Sequence, residues 1–192
     1  MNINQFLAWM DAQHQPSKEI YQKPLVMGIV NVTPDSFSDG GAYIHLQKAY
    51  EQVQKLIARG VDIVDIGGES SRPGADPLPT DVELERVIPL IQMLKQSSDI
   101  CISIDTYKPL VMREAIEAGA HIINDIYGLQ SQDSLMMAKK LDVPVCIMHM
   151  QGNPKTMQEA PNYPLGILEH LKLFFQERIH ACQEVGINIK QI

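Results

Sequence analysis

The sequence has no basic block, no long apolar run and few cysteines, and each absence removes a class of protein. The formal net charge is -7 over 192 residues, so a nucleic-acid partner is not expected. An acidic total does not exclude an anionic small molecule, because a local site can oppose the global field. No stretch approaches eighteen consecutive apolar residues, so no membrane span is expected. The opening residues, MNINQFLAWMDAQHQ, lack the basic start and apolar run of a secretory signal, which implies a cytoplasmic location. Cys101, Cys146 and Cys182 follow no CxxC or other metal-like spacing. Cys101 and Cys146 lie in apolar runs, and all three read as small buried hydrophobes. Neither a GxGxxG run nor a Walker A pattern occurs, so the standard nucleotide fingerprints are missing.

What is present is the material of one soluble domain: 45% hydrophobic and 20% charged residues, on a chain long enough for a sizeable core. Short apolar runs alternate with amphipathic ones. Strands are predicted at 25–30, 61–67, 100–105, 121–126 and 144–149. Val and Ile dominate them without strict alternation, as in a parallel sheet buried on both faces. Helices are predicted at 46–60, 80–96, 109–119, 134–141 and 165–186. The second opens with Thr80 and Glu83, a capping-box pattern; the third begins at Pro109 and ends at Gly119. Met136 and Met137 read as core packing.

Strand–helix alternation with a parallel sheet means an α/β fold. Two architectures fit, a (β/α)8 barrel and an open doubly wound sheet. Length favours the open sheet, since a barrel typically needs about 250 residues. The closing INIKQI resembles the lead-in to a sixth strand. The polar residues favour the barrel. The first strand delivers Asn31 and then Asp35. The second delivers Asp65, Glu69, Ser71 and Arg72. The third ends in Asp105 and Thr106, the fourth carries Asn124 and Asp125, and the fifth ends in His149. A barrel gathers all five ends on one face, where catalytic groups collect; an open sheet gathers them only near a switch point. The longest Gly/Pro/Ser-rich loops, 33–45 and 67–80, follow the first two strands, and loops that long usually serve function. Each residue also has a plainer reading. Asp and Asn after a strand often cap a helix or start a turn, Arg72 can be a solvated loop residue, and Gly40-Gly41 and Gly67-Gly68 can simply permit tight turns. His149 stays ambiguous. Asp105 and Asn124, at the ends of buried strands, need partners, and a ligand can be one.

Five stretches, MGIVNVTPDSFSDGG, DIGGESSRPGA, ISIDTYKP, GAHIINDI and VCIMHMQGNPKTMQ, together resemble the dihydropteroate synthase family, in that family's order and across about residues 24–192. The resemblance implies a TIM (β/α)8 barrel, here truncated after about five βα units. Residues 1–23 would be an N-terminal extension and 24–192 a partial pterin-binding barrel domain without strands six to eight. The implied reaction is the folate-biosynthesis transferase step that sulfonamides inhibit. It joins 6-hydroxymethyl-7,8-dihydropterin diphosphate to 4-aminobenzoate, giving 7,8-dihydropteroate and diphosphate. Residue by residue, Asn31 matches the Mg²⁺ and diphosphate ligand, and Arg72 the loop arginine on the diphosphate. Asp105 and Asn124 match residues that hydrogen-bond the pterin, and Met148 one that packs on its face. Phe37, Ser71 and Pro73 match the aminobenzoate slot, and Asp35 and Asp39 the loop that closes over the reacting centre. Position 71 is Ser where many relatives carry Thr, which keeps the hydroxyl. The family's later Asp-Pro-Gly, Ser-Arg-Lys and Arg-x-His segments do not occur in this sequence. This chain by itself is therefore expected to be inactive or unstable, whereas the intact protein of the family is implied to be a homodimer. Two rival readings are an inactive pterin-binding fragment and a pterin-dependent methyltransferase on a related barrel.

Overall fold

A computed structural model describes residues 1–14, 23–32, 42–70, 76–158, 160–164 and 166–192. Five strands, β1 Met27–Asn31, β2 Ile63–Gly67, β3 Cys101–Asp105, β4 Ile122–Asp125 and β5 Val145–Ile147, form one all-parallel sheet in the order β1-β2-β3-β4-β5. A doubly wound sheet would reverse its strand order at a switch point. This sheet never reverses, so the first of the two architectures is the observed one: a run of consecutive (β/α) units, laid out as in a barrel wall.

The helices are α2 Ala42–Ala58, α3 Thr80–Ser97, α4 Pro109–Ala118, α5 Gln132–Leu141 and α6 Ile167–Glu184. They pack on one face of the sheet, where alternate strand residues such as Val30, Ile66, Ile104 and Ile123 meet Leu90, Ile91 and Met112. Burying each such side chain contributes about 1.5–3 kcal/mol. The opposite face has its own small core. Helix α1, Ile3–Gln13, opens with a capping box in which the Asn2 side chain accepts from the Gln5 backbone and the Gln5 side chain accepts from the Asn2 backbone. Its Phe6 and Trp9 pack with Ile63, Cys101 and Ile122, which closes the N-terminal end of that face.

Several local expectations change. Pro79, not Thr80, caps α3, and no side chain caps it; Glu83 is 1% exposed and bonds instead to Lys108. The INIKQI tail forms a short 3-10 helix, Ile189–Gln191, because the Asn188 side chain accepts from the Lys190 backbone N–H and Gln191 returns the bond. Met137 packs against the core, but Met136 is exposed. Cys101 and Cys182 are buried as expected, whereas Cys146 is exposed, since it lies on the sheet face that the outer helices do not cover.

Candidate functional site

Because side chains alternate along a strand, register decides which residues share a face. Asn31 pairs with Gly67, Gly67 with Asp105, Asp105 with Asn124, and Asn124 with Cys146. These five positions form one row across the C-terminal end of the sheet, on the face away from α2–α5. The row beneath it runs Ile29, Asp65, Ser103, Ile122. Beneath that lie Met27, Ile63 and Cys101. The face thus rises from an apolar floor to a polar rim.

Gly67 opens the rim. A Cβ there would sit 3.1 Å from Asn31 Oδ1 and 3.5 Å from Asp105 Oδ2, so both oxygens border the space that the missing side chain leaves. Asp105 is pushed up to about 7, first by burial and then by the charges of Asp65, Glu83, Asp125 and Glu69. Near neutral pH its carboxyl can therefore both donate and accept a hydrogen bond. Asp65 is 3% exposed. Its Oδ2 accepts from Asn124 Nδ2 at 3.1 Å, while its Oδ1 and the Ser103 hydroxyl have no hydrogen-bond partner. Burial raises the Asp65 pKa; the Asn124 hydrogen bond and the Ser103 side chain oppose that rise, the Ser103 hydroxyl lying near Asp65 without hydrogen-bond geometry. Cys146, at the end of the rim, has its thiol pKa raised by desolvation and then by Asp65 and Asp105. That shift disfavours the thiolate, the nucleophilic form.

A second cluster flanks the rim. Lys108 Nζ donates to Glu69 Oε2, Glu83 Oε2 and the Leu78 carbonyl, which uses all three donors of the ammonium. Glu69 also accepts from the Leu78 N–H at 2.8 Å and the Tyr107 hydroxyl at 3.0 Å. Arg86 donates to the Gly68 carbonyl at 2.9 Å. Both ends of the segment between β2 and α3 are thereby tied to the start of α4.

Of the residues that the sequence points to, Asn31, Asp105 and Asn124 come together on the rim. Met148 follows two positions after Cys146, beyond the end of β5, and is 38% exposed. Asp35, Phe37, Asp39, Ser71, Arg72 and Pro73 lie outside the described residues. Asp125 faces the helix side, where its two oxygens accept from the Tyr127 and Leu129 backbone N–H groups; burial pushes it up to about 6. It builds a turn. His149 packs among the rings of Tyr163, His170 and Phe174, and no group of three or more His, Cys, Asp or Glu able to hold a metal occurs among the described residues. Sequence reasoning passed over Lys108 altogether. Its only signal is a lysine just after a buried strand, which reads as a solvated charge.

A family model described as pterin binding enzyme matches residues 27–192. The dihydropteroate synthase of Escherichia coli strain K12 is 49% identical over 164 residues, covering 85% of this chain and 58% of the relative. That of Haemophilus influenzae is 48% identical, covering 85% and 59%. Among solved structures, Xanthomonas albilineans dihydropteroate synthase with 4-aminobenzoic acid is 45% identical with a TM-score of 0.80, covering 88% of this chain and 59% of that one. The Burkholderia cenocepacia enzyme complexed with 7,8-dihydropteroate is 40% identical with a TM-score of 0.77, covering 90% and 57%. The chain thus spans a little under three fifths of each of these relatives.

Proposed function

Because the chain belongs to the pterin binding enzyme family, we propose that it forms the pterin-binding part of a dihydropteroate synthase. The reaction would join 6-hydroxymethyl-7,8-dihydropterin diphosphate to 4-aminobenzoate and release diphosphate. The observation that carries this reading is the Asn31–Gly67–Asp105–Asn124 row. It sets an amide, a gap and a half-protonated carboxyl side by side at the mouth of an apolar-floored face. A pterin edge carries N–H donors and ring-nitrogen acceptors in alternation. Asn124 and Asp105 can each give and receive hydrogen bonds, so they suit such an edge. Met148 would cover the ring face.

The described part of the site is acidic, with Asp65, Glu69, Glu83, Asp105 and Asp125 around it, and Lys108 and Arg86 are already bonded within the protein. A diphosphate therefore needs cations from elsewhere. Arg72 on the β2–α3 segment would supply one, since a guanidinium fork suits phosphate oxygens. Mg²⁺ would supply the other. The donors fit: Asn31 Oδ1 is a hard oxygen beside the Gly67 gap, and Mg²⁺ typically takes one or two protein oxygens plus phosphates and waters. When bound, the ion would neutralise charge on the departing diphosphate. Asp35 and Asp39 would close over the reacting carbon, and Phe37, Ser71 and Pro73 would hold the aminobenzoate, excluding water. The same reading takes the intact protein as a cytoplasmic homodimer.

The test is dihydropteroate formation from the two substrates with Mg²⁺, alongside fluorescence titration with the pterin diphosphate. Binding that Asp105→Ala weakens at least tenfold, with or without turnover, supports the assignment. Absence of pterin binding at millimolar ligand by a folded chain overturns it.

A further inference from the structure

We infer that Asp65 is a positioning residue that holds the Asn124 side chain one way round, so that Asn124 presents its carbonyl oxygen away from Asp65, toward a ligand on the rim. The inference rests on the pterin reading of that rim. Asp65 sits one row below it on β2 and is 3% exposed. Its Oδ2 accepts from Asn124 Nδ2 at 3.1 Å, across 59 positions of sequence. The Asp65 oxygen that faces Asn124 is the accepting one, and an oxygen bearing no proton only accepts. Turning the Asn124 amide over would set its Oδ1 against Oδ2, two acceptors in contact, so one orientation survives. A carboxamide is otherwise nearly symmetric in shape, and a binding site that depends on its oxygen needs something to break that symmetry. The remaining Asp65 oxygen, Oδ1, has the Ser103 side chain near it, without hydrogen-bond geometry. The register partner of Asn124 is Asp105, so the fixed Asn124 oxygen stands beside a second carboxyl. Together they offer a fixed acceptor and a carboxyl that near neutral pH both donates and accepts, which suits a heterocycle edge that carries N–H donors.

The experiment compares Asp65→Asn, Asn124→Asp and the exchange variant D65N/N124D with the 192-residue chain itself. Pterin diphosphate binding is followed by fluorescence, and the Asn124 carboxamide by ¹⁵N NMR. Asp65→Asn keeps size and a hydrogen bond but permits both amide orientations. It should bind about tenfold more weakly and show two Asn124 carboxamide environments, or one averaged by exchange. Asn124→Asp sets two carboxylates together and should also weaken binding. The exchange variant restores a donor beneath a rim oxygen at unchanged total charge. It should recover binding to within about threefold of the original, a coupling that independent sites do not show. Unweakened binding by a folded Asp65→Asn chain overturns the inference, as does a single unshifted Asn124 environment in it, or an exchange variant no better than either single change. If the original chain binds no pterin, the functional reading fails, and the NMR comparison still decides the orientation of Asn124.

Discussion

Asp105 carries a pKa near 7 because it is buried among other carboxylates. Its folded value lies above the unfolded 3.8, so the folded state keeps a proton that the unfolded chain has released. That stability is fully present below about pH 4 and is lost as pH rises through 7. Asp105→Asn removes the dependence. Its melting temperature should exceed the parent's by several degrees at pH 8, equivalent to about 2–4 kcal/mol at 1.36 kcal/mol per unit, and by little at pH 4. Circular dichroism melts at both pH values decide it; an equal difference at the two would sink the assignment. Gly68 poses a packing question of the same scale. A Cβ there would lie 2.9 Å from Glu83 Cγ and Val87 Cγ1 and 3.2 Å from the Glu83 carbonyl. Gly68→Ala should cost about 1–3 kcal/mol in urea unfolding, as overpacking does. Asn31, Asp105 and Asn124 were legible in sequence because each ends a Val/Ile run. Asp65 was visible as a polar strand residue, but its bond to Asn124 was not, since only the strand register brings the two together.

At the level of elements, Lys108 links the end of β2, the start of α3 and the start of α4. Lys108→Met would leave Glu83 and Glu69 without their cation, and breaking a buried pair from one side costs about 3–5 kcal/mol. Removing the acid as well, in Glu83→Leu/Lys108→Met, should recover part of that loss. Denaturant midpoints of both variants test it, and a double variant weaker than the single would contradict the ion-pair account. The Thr80–Glu83 pattern misled as a capping box because Glu83 has a stronger partner in Lys108, 25 positions away. Helix α1 escaped notice although Asn2 and Gln5 mark its start; it is short, and its apolar face gains meaning only from Ile63, Cys101 and Ile122 above it. Phe6→Ala should therefore destabilise the chain by about 3–5 kcal/mol. Hydrogen exchange should show the loss at β2–β4 as well as in α1 itself.

For the whole molecule, β1 and β5 each pair with a single neighbour among the described residues, and Ile29 on the inner face is 60% exposed beside Val26 at 50% and Met27 at 38%. Parallel sheets are normally covered on both faces, and open edges invite association. The 192-residue chain should bind a dye such as ANS and self-associate with rising concentration, and Ile29→Thr should reduce both. A monodisperse, dye-silent chain would show that this face is covered in solution. The sequence by itself determined the alternation of strands and helices, the polar residues at strand ends and the family, because these are local patterns or linear motifs. Tertiary structure alone decided the sequential strand order and the row that joins Asn31, Gly67, Asp105 and Asn124. It also placed Asp125 on the opposite face and Asp65 and Lys108 at their hubs. These depend on parallel register and on contacts across 19 to 59 positions, distances at which no local periodicity carries information.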